Sequence, residues 1–257
     1  MAVDDSYTKL LLHCNGSDAS TTFTDESGKT VTAGGNAQID TAQSKFGGAS
    51  GLFDGSGDFL SIPDSEDFNF STGDFTIDLW VRFNSLGSNN FLFGHGQDSN
   101  NNLSLNMQIS GSNYLFQFAI VDSGTILVNY YDSGRTINTG QWYHIAVVRN
   151  GTSWKTYLDG VNIASQTVSA TSPNYTSAFI VGARSFDQAY CVNGWIDEFR
   201  VSKGIARWTA NFTPPTAEYA PPVGPTNLKI FNGLAKASIK TINGLAMANV
   251  KTLNGLT

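Results

Sequence analysis

Charge and cysteine are both scarce in this chain. Only 14% of its 257 residues are charged, where soluble domains carry about a quarter. The balance is acidic, with a formal net charge of -6. An acidic surface repels phosphate backbones, so nucleic-acid binding is not expected, and no polybasic patch is available for an anionic membrane. Two cysteines, Cys14 and Cys191, are too few for a disulfide framework or a zinc site. Both lie in strand-like runs. They read first as buried small hydrophobes, and second as a bond tying an early strand to a late one. No stretch approaches the roughly 20 apolar residues of a membrane span, which excludes insertion by helix. The first six residues hold two acids and no basic or apolar segment, so no secretory signal is expected. Long helical periodicity is missing as well.

What the chain does have is alternation. Between 75 and 83, Phe75, Ile77, Leu79, Val81 and Phe83 fall on one face, and Thr76, Asp78, Trp80 and Arg82 on the other. The run 142–149 is a second strand ending at Asn150-Gly151, a hairpin signal. The chain returns through 153–158 and turns again at Asp159-Gly160, so 142–168 reads as a meander. Further strands are expected at 7–13, 52–53, 59–62, 91–93, 103–109, 114–121, 126–130, 179–182 and 195–201. Gly94-His95-Gly96 reads as a loop between them. Many short strands punctuated by Gly, Asn, Asp and Ser make an all-β sandwich or barrel.

Proline is concentrated late, with five of the seven between 211 and 226. It cannot donate to a ladder, so residues 213–226 read as a semi-rigid linker between a domain over 1–212 and a tail over 227–257. The tail repeats, with Asn232, Asn243 and Asn254 each followed by glycine and spaced 11 apart. An 11-residue helical supercoil is the competing reading. Recurring Asn-Gly and many β-branched residues favour short strands with tight turns instead. About 30 residues of such repeats cannot bury a core alone. The tail is therefore expected to pack on the sandwich, on other copies in a homo-oligomer (a trimer is one option), or on a larger assembly.

The order of several motifs carries a resemblance. Phe23 to Gly28 is followed by Ser44 to Ser50, then by Phe53-Asp54-Gly55-Ser56-Gly57-Asp58 and the strand from Phe75. Trp142-Tyr143-His144-Ile145, Tyr157-Leu158-Asp159-Gly160 and Gly194-Trp195-Ile196-Asp197-Glu198-Phe199 complete the series. Over about 7–217 the chain resembles the laminin-G-like domains of the concanavalin A-like lectin/glucanase superfamily, of the kind found in bacteriophage tail and virion proteins. The resemblance implies an antiparallel jelly-roll sandwich with a C-terminal β-repeat tail. It implies a virion protein, tail fibre-like or a capsid decoration, assembled in the host cytoplasm. The alternative is a calcium-assisted carbohydrate-binding module of a bacterial surface protein.

Glucanases of that superfamily use a strand of the pattern Glu-x-Asp-x-x-Glu, which aligns two carboxylates on one face. No such string is present. Asp197 and Glu198 are adjacent, so regular alternation sends them to opposite faces, and no enzymatic role is expected. The resemblance also implies a structural Ca²⁺ at Asp25 and Asp197, with Asp54 and Asp58 as further oxygen donors. The competing role for each is to cap a turn. A glycan site needs aromatic faces beside polar groups. Trp80 with Asp78 and Arg82 offers one on the non-core face of its strand, unless a second layer packs over Trp80. Asn90 and Asn101 offer amides among Asn89, Asp98, Asn100 and Asn102, unless these form a solvated loop. Tyr130, Tyr131 and Tyr190 stand near expected turns. Trp142, Trp154 and Trp195 read as core or rim.

Overall fold

In the computed structural model, the described residues are 5–221 and the backbone of four two-residue strands between 230 and 246. Fifteen strands form the sandwich. They are β1 (Thr8–Leu12), β2 (Thr32–Gly34), β3 (Gln38–Asp40), β4 (Ser50–Asp54), β5 (Phe59–Ile62), β6 (Phe75–Ser85), β7 (Asn89–Asp98), β8 (Asn101–Ser110), β9 (Asn113–Asp122), β10 (Thr125–Tyr131), β11 (Trp142–Asn150), β12 (Ser153–Leu158), β13 (Val161–Thr167), β14 (Phe179–Val181) and β15 (Asn193–Lys203). One sheet runs β13-β12-β11-β6-β15-β4-β3, with β1 pairing the second half of β15. The other runs β10-β9-β8-β7-β14-β5-β2. The pairings are antiparallel, as the alternating pattern requires.

The core lies between the sheets, where Phe75, Ile77, Leu79, Val81 and Phe83 of β6 are fully buried. Aromatic rings bridge the layers: Phe93 and Phe179 reach Phe199 at centroid distances of 5.9 and 6.0 Å, and Phe118 reaches Trp154 at 6.2 Å. Each such ring contributes about 1.5–3 kcal/mol by leaving water. The expected meander over 142–168 is β11–β12–β13. At its second turn Leu158 pairs with Val161. That leaves Asp159 and Gly160 between them, both at positive φ (48° and 77°), as a type I′ hairpin turn requires.

Two expectations are corrected and one first reading holds. Gly94-His95-Gly96 is not a loop but the middle of β7. Ser185 packs against Gly94, where a larger side chain would crowd it, and His95 sits in the core among Phe68, Tyr175 and Phe179. Cys14 and Cys191 are free and buried, as their first reading as small hydrophobes has it, and do not form the alternative bond. The span begun at 213 as a linker is, through Ala220, a strap folded back on the first sheet, with Tyr219 buried. In the tail, Ile230–Phe231 pairs with Leu234–Ala235 and Thr241–Ile242 with Leu245–Ala246. Two residues separate the strands of each pair, and the expected turns at these Asn-Gly positions lie outside the described residues. The third repeat and the expected oligomer contacts of 227–257 fall outside the described residues.

Candidate functional site

The outer face of the first sheet is half covered. Trp208 and Phe212 stack on each other at 4.0 Å and meet His144 edge-on at 5.5 and 5.6 Å. Thr76 ties down the segment leading into the strap, its hydroxyl donating to the Ile205 carbonyl and accepting from the Arg207 N–H. Beneath lies a closed charge network. Asp78 accepts from Arg200 Nε and Nη2 at 3.0 and 3.1 Å, and from the Tyr219 hydroxyl. His144 Nε2 lies 3.1 Å from that hydroxyl and 3.5 Å from Asp78. Burial alone would raise the Asp78 pKa, but the charge of Arg200 and the His144 contact hold it down to about 2. Burial, reinforced by the charge of Asp78, pushes the Tyr219 phenol well up. Trp80 is covered too, by Lys45 at 3.9 Å over its ring and by Phe46 edge-on at 6.0 Å.

Asp78 and Trp80 therefore do not form an exposed platform; the second layer that competes with that reading is present. A depression of about 480 Å³ beside the strap is lined by Arg200, Arg207, Trp208, Pro215, Glu218 and Tyr219. Both arginines are committed, Arg200 to Asp78 and Arg207 to Asp5. Arg82 lies beyond the strap, half-exposed on the open end of the same face.

A β-bulge changes the expected geometry of Asp197 and Glu198. Asp197 pairs with Trp80 and Arg200 with Asp78, so β15 spends three steps where β6 spends two. Glu198 takes up the extra residue at φ 52°. Ile196 and Phe199 both enter the core. Both acids consequently share the outer side, contrary to strict alternation. Neither opens onto a cleft: each is wholly buried. Glu198 accepts from His13 Nδ1 at 2.6 Å and from the Tyr219 N–H at 2.8 Å. Asp197 Oδ2 accepts the N–H groups of Lys45 and Phe46 at 2.8 and 3.1 Å, while its Oδ1 has no partner. Burial pushes the Asp197 pKa up to about 7 in spite of those two donors.

The calcium expectation meets a different arrangement at Asp25. Its Oδ1 accepts from the N–H of Leu11 and Ser27, and its Oδ2 from that of Lys29. Three donors converge where a cation would need free lone pairs, so Asp25 is a turn anchor and does not fit as a ligand. Asp58 likewise accepts the N–H of Asn36 and Asp54, and Asp54 that of Ser56. Asp25 and Asp197 are not joined in one donor set. Among the described residues the group with ligand atoms close together is His13, Glu198 and Glu218, and it is already internally bonded, Glu218 to Asn15 and Glu198 to His13.

The outer face of the second sheet is different in kind. Register aligns Phe91, Asn106, Gln117 and Tyr131 on four neighbouring strands. Their neighbours in sequence, Leu105 and Met107, Phe116 and Phe118, and Tyr130, fill the core, so the four side chains lie on the far side. Asn106 donates to Asn89 at 2.9 Å, Gln108 to Gln117 at 2.9 Å, and Gln117 to Asn129 at 2.7 Å. The next row holds small residues: Gly94, Ser104 and Ala119 beside Asn129. One end carries exposed Tyr131. The other carries Phe91 and Tyr190, with Arg184 over both rings at 5.7 and 4.5 Å. The result is a row with two amides, Asn106 held by Asn89 and Gln117 held by Gln108 and Asn129, and an aromatic ring at either end. At about 4.8 Å between strands the row spans about 14 Å.

Of the amides expected at the site, Asn90 is buried, donating to the Gly87 carbonyl. Asn101 braces a turn by accepting from the Ser123 N–H. The residues that sequence reasoning missed are Asn106, Gln108, Gln117 and Asn129. Their signal was present, since they are the polar partners in the apolar alternation of β8, β9 and β10.

Comparisons with known proteins agree with this architecture. Laminin_G_3, described as the concanavalin A-like lectin/glucanases superfamily, matches residues 54–207. Among solved structures, domain 4 of AbnA, a GH43 extracellular arabinanase from Geobacillus stearothermophilus in complex with arabinotriose, aligns with a TM-score of 0.55 at 22% identity, over 78% of this chain and 95% of that one. The botulinum neurotoxin serotype C1 binding domain aligns with a TM-score of 0.54 at 16% identity, over 77% of this chain and 49% of that one. A structure described as showing that cell entry of botulinum neurotoxin type C depends on two ganglioside molecules aligns with a TM-score of 0.55 at 17% identity. The chain thus spans about half of the toxin chains. No curated protein sequence matches it.

Proposed function

Because the chain belongs to the concanavalin A-like lectin/glucanase superfamily, we propose that it is a non-catalytic glycan-binding module, displayed in several copies on a bacteriophage particle. The observation that carries this reading is the amide cluster centred on Gln117, which is half-exposed between Tyr131 and Phe91 with Asn129 in the next row and the buried Asn106 beside it. Amides oriented by each other leave their remaining donors and acceptors fixed for hydroxyls, and the flanking rings suit the apolar face of a sugar. The solved structures support the class of ligand, since one similar domain was captured with arabinotriose and another is tied to gangliosides.

The non-catalytic part rests on Asp78, Asp197 and Glu198. All three are wholly buried and bonded within the protein, unavailable as an acid and nucleophile flanking a glycosidic bond. The particle context rests on the repeat tail, which we assign to oligomerisation or anchoring in the virion. The resemblance to virion domains points the same way. Calcium enters only through the unpartnered Oδ1 of Asp197, the feature that favours the alternative of a calcium-assisted module on a bacterial surface.

A glycan array with the full chain, run with and without chelator, tests the proposal. Binding that survives chelation and falls at least tenfold in Gln117→Ala supports it, tenfold being about 1.4 kcal/mol. Binding abolished by chelator favours the calcium-assisted module. Silence in both conditions leaves no glycan role.

A further inference from the structure

Two cations stand apart from the rest. Among the described residues, every lysine and arginine other than Lys45 and Arg82 gives its charged head to a protein oxygen. Arg135, Arg184, Arg200 and Arg207 pair with carboxylates, as does Lys29. Arg149, Lys155, Lys203 and Lys9 reach carbonyls. Lys45 and Arg82 instead lie over indole rings, Lys45 3.9 Å from the Trp80 ring centre and Arg82 5.0 Å from that of Trp195.

These two stacks are neighbours. Trp80 and Arg82 are two positions apart on β6, hence on one face, and Trp195 pairs with Arg82 across the strand boundary. Trp142 pairs with Arg82 from the other side, so Trp142, Arg82 and Trp195 form a row across three strands. All three are half-exposed, as is Lys45, and Trp208 and Phe212, just before the strap, pack over the His144 row instead. Beside the row, Asn84 donates to Asn193 at 3.1 Å and Asn193 to the Asp54 carbonyl at 2.7 Å. Asp40, an acid bonded to the row, accepts from the Trp195 indole N–H at 2.6 Å and the Ala42 N–H at 2.9 Å.

We propose that this open end of the first sheet is a second saccharide site, selective for an acidic sugar bearing a carboxylate or a sulfate. A guanidinium offers five N–H donors in a planar fork suited to two oxygens of an anion. Resting on an indole fixes its plane while leaving the donors free. The anion engages Arg82, with Lys45 adding a second positive charge, and the sugar ring packs against the exposed face of Trp142 or Trp195. In a chain of net charge -6, a pair of uncommitted cations between indoles is where a negative ligand would be held. The site lies on the opposite sheet from the amide row and does not depend on it.

Calorimetric titration of the full chain tests this, with three probes: an oligogalacturonate, a sulfated dextran oligomer and a neutral dextran oligomer. At least one acidic probe is expected to bind, with affinity falling as salt rises. Arg82→Gln and Lys45→Gln, each checked for an unchanged melting temperature, should weaken it at least tenfold and threefold. Which acidic probe binds identifies carboxylate or sulfate as the anion. Gln117→Ala should leave acidic binding intact, so failure of the amide row and failure of this site are read separately. If neither acidic probe binds, or if the neutral oligomer binds Gln117→Ala as tightly as the acidic ones, or if both cation variants bind like the parent, the proposal is overturned.

Discussion

Asp78 and Arg200 face each other across adjacent strands in a two-pronged pair, at 3.0 and 3.1 Å, with Asp78 wholly buried and Arg200 nearly so. Removing one partner of such a pair leaves an uncompensated buried charge, which costs about 3–5 kcal/mol. Asp78→Asn, which keeps the volume and loses the charge, should therefore destabilise the domain by about that amount in urea denaturation. Replacing both, as in D78L/R200M, should cost less than the single change, since apolar groups of similar size tolerate the site. A double variant no more stable than D78N would mean that the partners Tyr219 and His144, not the charge pair, set the stability.

The strap has a matching consequence. Tyr219 donates its hydroxyl to Asp78 and its N–H to Glu198, so the segment after 212 completes the buried network. A chain ending at 212 would lose Tyr219 from Asp78, His144 and Glu198. It is expected to melt well below a chain ending at 221, or to aggregate. Tyr219→Phe in the full chain isolates one hydrogen bond to a charged group, with an expected loss of about 1.5–3 kcal/mol. Equal melting temperatures for the two truncations would return the segment to the status of a linker.

Stability should decline as pH rises through neutrality. Burial raises the folded pKa of Asp197 from its ordinary value near 3.8 to about 7. The folded state thus holds a proton that the unfolded chain has released, and the stability this gives is full below about 3.8 and lost as pH climbs to 7. His13 acts in the same direction. Although burial opposes it, the hydrogen bond and charge of Glu198 raise its pKa, so its contribution is also lost above the ordinary imidazole range. Asp78 acts oppositely at the acid end. Its pKa is lowered to about 2, so its stabilisation is present above 3.8 and is lost as pH falls towards 2. Melting temperature against pH should peak near 4–5. Asp197→Asn should flatten the decline between 5 and 7, and an unchanged slope would remove Asp197 from the account.

The strands of the sandwich were legible wherever alternation ran long enough. β6 emerges from apolar periodicity and the β11–β13 meander from its Asn-Gly and Asp-Gly turns, although the outer faces of β6 and β11 are largely buried as well. β2 and β3, at three residues each, are too short to display a period. β7 was shortened by Gly94 and Gly96, whose small size serves packing rather than a turn. The site was legible only in part. Arg82 could be named, while Trp195 read as core or rim; the strap over Asp78 could not, because a proline-rich composition says nothing about where a segment docks. The bulge at Glu198 also escaped, since an inserted residue leaves no mark in a local pattern. The amides of β8, β9 and β10 were visible as the polar half of each alternation, yet only strand order aligns them into a row.

The repeat tail gives the last expectation, which concerns avidity. Each described pair, such as Ile230–Phe231 with Leu234–Ala235, is a minimal two-stranded unit, too small to be stable alone in water. Copies that gather their tails would bury those units and present several sandwiches together. Linked binding can exceed single-site affinity by about 10²–10⁴ when the sites are reachable at once. The full chain should therefore run as an oligomer in light scattering and bind a glycan-coated surface far more tightly than a chain ending at 221. The two should bind a soluble monovalent glycan equally. Equal binding to the coated surface, with a monomer in both cases, would leave the tail without an assembling role and the particle reading without its main support.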